Sequence, residues 1–234
     1  MKTTGNTIFI SGGSAGIGLA LAKILNAAGN KIIINGRNEE RLQNALKELD
    51  NAISIQGDLS LKEDRLRIAA QIKEQYPDVN IIINNAGAAF AYLLNESTNA
   101  QDKAAIEMNT NFFAIIDFTE LMLPHLIQKA EAAVVNVSSI TVFHSIKMLP
   151  TYGATKAALH SYTVALRDTY EEVQNVQIYE VYPPLVNTEF SAGIGGANGI
   201  PASEVADEFL IALKKDQFDV PVGDTKKFFE KVLA

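Results

Sequence analysis

Cysteine is absent from the 234-residue chain, which excludes disulfides and thiolate metal centres. No apolar run approaches the ~20 residues that span a bilayer. The N-terminus has no basic stretch leading into an apolar one, so a cytoplasmic location is expected. Basic residues are in deficit, 20 Lys and Arg against 27 Asp and Glu, and the net charge of −7 argues against a nucleic-acid-binding surface. His125, His144 and His160 have no metal-ligand spacing, so no metal is expected. Internal repeats, low-complexity tracts and linkers are missing. One domain over residues 1–234 is therefore expected, and a hydrophobic fraction of 47% is enough to give it a sizeable core.

What is present is an alternation of apolar runs with amphipathic stretches. Strands are predicted near 7–11, 31–35, 52–56, 80–84, 132–138, 176–182 and 218–222. Helices are predicted near 16–29, 38–49, 62–76, 99–127, 152–174 and 203–215. Continuous apolar strands such as Ile81 to Ile83 suit a parallel sheet covered on both faces. The fold class is thus α/β, a doubly wound parallel sheet of about seven strands. Ligands bind such sheets at the carboxyl ends of the strands. Gly12, Arg37, Asp58, Asn84, Ser139 and Pro183 all fall there.

Between the first strand and first helix runs Ser11-Gly12-Gly13-Ser14-Ala15-Gly16-Ile17-Gly18. Glycines there let backbone amides approach a pyrophosphate, and the helix N-terminus favours an anion. The spacing differs from the common G-x-G-x-x-G. Further on, Ser139 precedes Tyr152 by thirteen residues and Lys156 follows it by four. If Tyr152 opens a helix, Lys156 lies one turn on, on the same face. An ammonium ~4 Å from a phenolate is worth roughly 4 kcal/mol at an effective dielectric of 20. That interaction would lower the phenol pKa from ~10 by about three units. Ser138 alternates to the opposite face from Ser139.

These elements together resemble the short-chain dehydrogenase/reductase family. Its T-G-x-x-x-G-x-G turn matches Ser11 to Gly18, and its N-N-A-G matches Asn84-Asn85-Ala86-Gly87. Its Y-x-x-x-K matches Tyr152 and Lys156, with Ser139 as the preceding serine. The asparagine of its N-x-x-G helix is matched to Asn109, with Phe112 in the place of the glycine. Ser11 stands for Thr, Thr155 for Ser, and Pro183-Pro184 for Pro-Gly. The resemblance runs from about Thr7 to Thr188 and implies a Rossmann fold that binds a nicotinamide dinucleotide. It implies Tyr152 as the general acid/base and Lys156 as the residue that lowers its pKa and holds the ribose. Ser139 is the hydrogen-bond donor to the substrate oxygen, and Asn109 the holder of a relay water. The cofactor contacts it implies are Gly12, Ser14, Gly16, Ile17, Gly18, Arg37, Asp58, Asn85, Gly87, Tyr152, Lys156, Pro183, Val186 and Thr188.

No acid occupies positions 35 to 38, where one would hold the ribose 2′-hydroxyl of NAD, and Arg37 suits a 2′-phosphate. Ser14 and Asn35 are candidate neutral donors beside it. NADP(H) is therefore expected, with NAD(H) possible. Asp58 reads equally as an acid beside the adenine or as an Asx-type turn residue. Pocket walls are expected from Ala88 to Phe90, Ile140 to His144, Met148-Leu149 and Pro184-Leu185. A mobile glycine-rich cover is expected near 188–200. Such apolar walls favour a small carbonyl or alcohol substrate. The rival reading is a nicotinamide-binding regulatory protein with the same fold and little turnover. Apolar excess on the helices at 99–127 (Phe112, Phe113, Ile116, Phe118, Met122) and 152–174 (Ala158, Leu159, Tyr162, Leu166) points to a homodimer or homotetramer.

Overall fold

Seven parallel strands build the centre of the molecule. The computed structural model describes residues 1–94, 99–173 and 175–233. In chain order the elements begin β1 (Thr7–Ser11), α1 (Gly16–Ala27), β2 (Lys31–Gly36), α2 (Glu39–Leu46), β3 (Ala52–Gln56), α3 (Lys62–Gln75) and β4 (Val79–Asn84). Next come α4 (Ala100–Met108), a π-helical turn (Asn109–Phe113), α5 (Ala114–Leu126), β5 (Ala132–Val137), α6 (Tyr152–Tyr170) and β6 (Val176–Tyr182). The chain closes with β7 (Val186–Asn187), β8 (Ile200–Pro201), α7 (Ala202–Lys215), β9 (Asp219–Pro221) and α8 (Thr225–Leu233).

The sheet order is β3-β2-β1-β4-β5-β6-β9. Ile8 of β1 lies opposite Ile32 on one side and Ile81 on the other, so the order reverses between β1 and β4. A crevice opens at the carboxyl ends of strands at such a point. The isoleucine-rich strands face apolar helices on both sides. On one face Leu21 and Leu25 of α1, Leu42 of α2 and Phe209 of α7 pack against Ile8, Ile32 and Ile81. On the other, Ile68 and Ile72 of α3, Phe118 and Met122 of α5 and Leu166 of α6 pack against Phe9, Ile33 and Ile82. A buried polar chain crosses the second layer: Asn84 donates to Asn136 (2.8 Å), and Asn136 donates to Thr163 (2.9 Å). It ties β4, β5 and α6 into one frame beside the crevice.

The predicted strands and helices fall within a few residues of these bounds, with four differences. The helix expected over 99–127 is interrupted by the π-helical turn at Asn109–Phe113. The helix from Tyr152 ends at Tyr170, and Gln174, the last residue assigned to it from sequence, lies outside the described residues. The glycine-rich segment is tied down by the short β7–β8 pair and by the Ser191 hydroxyl, which donates to the Val186 carbonyl (2.5 Å). Finally, α8 was unforeseen; its Phe229 packs 5.7 Å from the rings of both Phe143 and Tyr182. Phe118, Met122, Leu159 and Leu166, expected at a subunit interface, are buried within the subunit. Among the described residues no helix is long and apolar enough to cross a membrane.

Candidate active site

The ends of β1 and β4 are pinned by a hydroxyl. Ser11 Oγ donates to the Ile83 carbonyl (3.3 Å) and accepts from the amides of Asn85 (2.9 Å) and Ala86 (3.0 Å). Asn85 Nδ2 returns to the carbonyls of Ser11 (2.9 Å) and Gly12 (3.3 Å), so its amide holds the shape of the glycine turn. Gly12 has φ +64°, a region that side chains disfavour. A Cβ at Gly18 would collide with the Gly12 carbonyl, so α1 packs tightly under the turn. That helix starts behind Ala15 with no side-chain cap and no acid in its first turn. Its free amides and dipole favour an anion.

A cavity of about 790 Å³ runs from this turn to Tyr152. Gly12, Ser14, Gly16, Ile17, Arg37, Asp58, Asn85, Gly87, Tyr152, Lys156, Pro183, Val186 and Thr188 line it, while Gly18 lies behind the turn. Gly16 has φ +54°, and a Cβ there would meet Thr188 Cγ2 at 3.2 Å, so the glycine turn lies close to the segment after β7. Of the expected walls, Ala88, Ile140, Leu149, Pro184 and Leu185 line the cavity, joined by Ile146, Phe190 and Ile194, whereas Phe90, Val142, Phe143 and Met148 are not among its lining residues. His144, by contrast, is exposed and stacks on Phe228 at 5.3 Å.

At the end of β2, Asn35 is not a free donor, contrary to expectation. It is buried, and its Nδ2 joins β2 to β3 through the carbonyls of Ile55 (2.9 Å) and Gly57 (3.1 Å). Arg37 is 79% exposed and stands 3.6 Å from Asp58. Asp58 makes the Asx turn, accepting from the Ser60 amide (2.9 Å), and also faces the cavity, so both readings of it hold geometrically. The sequence reading missed Arg41, one turn beyond Arg37. It lines the cavity and pairs at 3.0 Å with Glu189 of the opposite wall.

At the other end, Tyr152 opens α6 and Lys156 lies one turn on, its Nζ 5.7 Å from the centre of the phenol ring. Lys156 donates to the Val137 carbonyl (2.8 Å) at the end of β5. Burial pulls its pKa down to about 8, against the raising effect of Glu180. Tyr152 shifts upward, opposite to the direction expected from Lys156 alone. Burial is the main cause, the Ser139 hydroxyl lowers the pKa in part, and the Glu107 carboxylate raises it. The phenol is therefore protonated at neutral pH. Ser138 turns away as its alternation requires and donates to buried Glu180. Glu180 also accepts from Tyr182 (3.0 Å) and pairs with His160 Nδ1 (3.0 Å), a carboxylate partner that the sequence around His160 did not disclose.

Comparison with known proteins agrees with this geometry. The family model described as short chain dehydrogenase matches residues 6–198. The chain belongs to the short-chain dehydrogenase family. It is 36% identical to the uncharacterized oxidoreductase DltE of Bacillus subtilis, over 94% of this chain and 89% of that one. It is 29% identical to a fatty acyl-CoA reductase of Acinetobacter baylyi, over 90% of this chain and 74% of the relative. A short-chain dehydrogenase from Burkholderia cenocepacia, crystallised with NADP, superposes with a TM-score of 0.88 at 23% identity, covering 100% of this chain and 95% of the other. One from Burkholderia phymatum, crystallised with NAD, gives 0.87 at 20% identity, covering 94% and 89%.

For a short-chain dehydrogenase, one site assignment made from the sequence is misplaced. Asn109 is exposed, and its Nδ2 donates to the Ser60 carbonyl (3.1 Å), away from Tyr152. Asn111, two residues on, is fully buried. Its Oδ1 accepts from the Ala88 amide (2.8 Å), and its Nδ2 donates to the Ala88 carbonyl (2.8 Å) and to Thr155 Oγ1 (3.0 Å). The π-helical turn advances the register here, a feature often found at functional sites. The available signal was a small residue: N-x-x-G read from Asn111 puts Ala114 in the place of the glycine, whereas from Asn109 it demands the bulky Phe112.

Proposed function

We propose that the protein is an NADP(H)-dependent oxidoreductase that interconverts a small neutral carbonyl and its alcohol, with Tyr152 as the general acid/base. The observation that carries this reading is the meeting of Ser139, Tyr152 and Lys156 at one end of a cavity whose other end is the glycine turn. The amides of the turn and of α1 would hold the diphosphate, Asp58 would stand on the adenine side, and Lys156 would hold the nicotinamide ribose. When bound, the nicotinamide supplies or accepts the hydride.

The chain's own residues handle the proton. Tyr152, kept protonated by burial, donates to the carbonyl oxygen as negative charge develops there. Ser139 donates a hydrogen bond to the same oxygen. The Lys156 ammonium stabilises the phenolate left behind, and Val137 fixes its position. In the alcohol direction the same groups act in reverse. Asn111, rather than Asn109, takes the part of the family's asparagine. Phe190 lines the same cavity, its ring 6.2 Å from that of Tyr152.

Two guanidinium groups, Arg37 and Arg41, beside a β2 end without an acid support NADP(H) over NAD(H). We assign the protein a cytoplasmic location, as a homodimer or homotetramer whose contact face includes the exposed apolar residues Phe113 and Val164.

The test is NADPH oxidation across a panel of aldehydes, ketones and diketones, with Tyr152→Phe as the control. The variant should keep NADPH binding and lose turnover by about 10²–10⁴-fold. Activity within tenfold of the parent would remove Tyr152 as proton donor. NADPH binding without turnover of any carbonyl would favour the regulatory reading.

A further inference from the structure

Glu107 is fully buried near the end of α4, and both of its carboxylate oxygens are engaged. Oε1 accepts from the amide of Phe90 (2.8 Å), in the segment after β4, and Oε2 accepts from the hydroxyl of Thr151 (2.6 Å), at the head of α6. Asn111 repeats this pattern four residues later, joining Ala88 to Thr155. The two side chains form parallel rungs between the same two segments. The steps correspond: 88 and 90 along the loop, 107 and 111 along the helix, 151 and 155 along α6. Thr151 immediately precedes Tyr152, and Thr155 immediately precedes Lys156.

A buried carboxylate is unfavourable unless hydrogen bonds replace its water. Satisfying the Phe90 amide alone would need only one neutral acceptor. The second oxygen draws Thr151 away from its local role. Thr151 is the N-cap of α6 but makes no side-chain capping bond. Its hydroxyl is held by Glu107 and lies 2.7 Å from the Tyr92 hydroxyl. The first turn of the helix that carries Tyr152 is thus braced laterally, against a segment whose Ala88 lines the cavity.

We propose that Glu107 is a positioning residue for proton transfer, fixing the head of α6, and with it the Tyr152 phenol, to the substrate wall after β4. The proposal rests on the reading of Tyr152 as proton donor. Glu107→Gln keeps both rungs, since its amide oxygen accepts from Phe90 and its amide nitrogen donates to Thr151. Glu107→Ala removes them.

The test measures kcat, KM and the solvent deuterium isotope effect for NADPH-dependent reduction of 4-nitrobenzaldehyde, NADPH affinity, and amide hydrogen exchange over 149–156. Glu107→Ala should lower kcat by about 10²-fold, as misplacement of a reacting group does. NADPH affinity should stay within about twofold, the solvent isotope effect should rise, and exchange over 149–156 should quicken. Glu107→Gln should restore kcat to within about threefold of the parent. Thr151→Val removes the same rung from the α6 side and carries the test if Glu107→Ala does not accumulate folded. Combined with Glu107→Ala it should add little.

Unchanged kcat in Glu107→Ala, an equal loss in Glu107→Gln, or full additivity with Thr151→Val would each overturn the proposal. A parent that does not reduce the aldehyde speaks against the reductase reading, and exchange then decides the bracing. Unaltered protection of 149–156 in Glu107→Ala overturns it.

Discussion

Ser138 and Ser139, adjacent at the end of β5, act on opposite sides of the chain. The Ser138 hydroxyl donates to buried Glu180, whereas the Ser139 hydroxyl accepts from the Thr141 amide (3.2 Å) and acts on the Tyr152 phenol. Their substitutions should therefore separate. Ser139→Ala should lower kcat/KM for carbonyl reduction by about 10²-fold with little change in Tm, as loss of one oxyanion donor does. Ser138→Ala leaves a buried carboxylate short of one donor and should cost about 1–3 kcal/mol of stability. Equal kinetic losses from the two variants would contradict the division, read by steady-state kinetics beside denaturant melts.

Lys156 sets a pH limit. Its pKa is pulled down to about 8, so its charge is present below that value and lost above it. Because kcat/KM reports groups of the free enzyme, carbonyl reduction should decline above about pH 8. Lys156→Arg, whose guanidinium stays charged, should move that decline to higher pH even if the maximum rate falls. A parent profile flat between about pH 7 and 10 would detach the lysine charge from the rate.

His160 gives a second pH dependence, in stability. Its folded pKa is raised, first by the hydrogen bond to Glu180 and also by the charges of Glu180 and Asp219, against burial and Arg167. A raised folded pKa means stabilisation that is complete below the unfolded value of about 6.5 and lost as pH rises through the folded value. Replacing His160 by Gln should remove this component. The Tm advantage of the parent over the variant should be largest below about pH 6.5 and shrink as pH rises above it. A constant difference across that window would show that the His160–Glu180 contact acts without its charge.

How much of this was legible depends on how local each cause is. Strands such as Ile81 to Ile83 and the glycine turn announce themselves in a few consecutive residues, and their predicted positions agree with the fold. The bonds from Glu107 to Thr151 and from His160 to Glu180 join residues brought together only by packing. Nothing near either residue marks them. Asn109 and Asn111 differ by two positions, and the π-helical turn that decides between them has no propensity signal of its own. Phe228 and Phe229 sit in a charged tail, and their packing on His144, Phe143 and Tyr182 becomes visible only with the sheet assembled.

The cofactor preference should answer to the two guanidinium groups together. Arg37 is exposed beside Asp58, and Arg41 is held by Glu189 across the cavity. A 2′-phosphate seated between them would make charge-assisted contacts worth about 1.5–3 kcal/mol. Arg37→Glu should shift the ratio of kcat/KM for NADPH and NADH towards NADH by that amount, and Arg41→Ala by less. If neither changes the ratio, the phosphate is not recognised there and the preference assigned above is wrong.

Assembly can be tested through an aromatic series. Tyr162 of α6 meets Phe112 edge-on at 6.4 Å, and Phe112 lies 5.5 Å from Phe113, which is 55% exposed. Val164, on the outer side of α6, is also exposed. Large apolar side chains on the outer faces of two neighbouring helices suit burial against another subunit. The residues nearer the sheet, Phe118 and Leu159, are already covered and contribute nothing outward. A charge at Phe113 or Val164 should therefore separate subunits without unfolding them. Sedimentation should give a multiple of 25.4 kDa for the parent. Phe113→Glu combined with Val164→Glu should give the monomer mass with native far-ultraviolet circular dichroism. A parent that sediments as the monomer at micromolar concentration would leave this face without a partner copy.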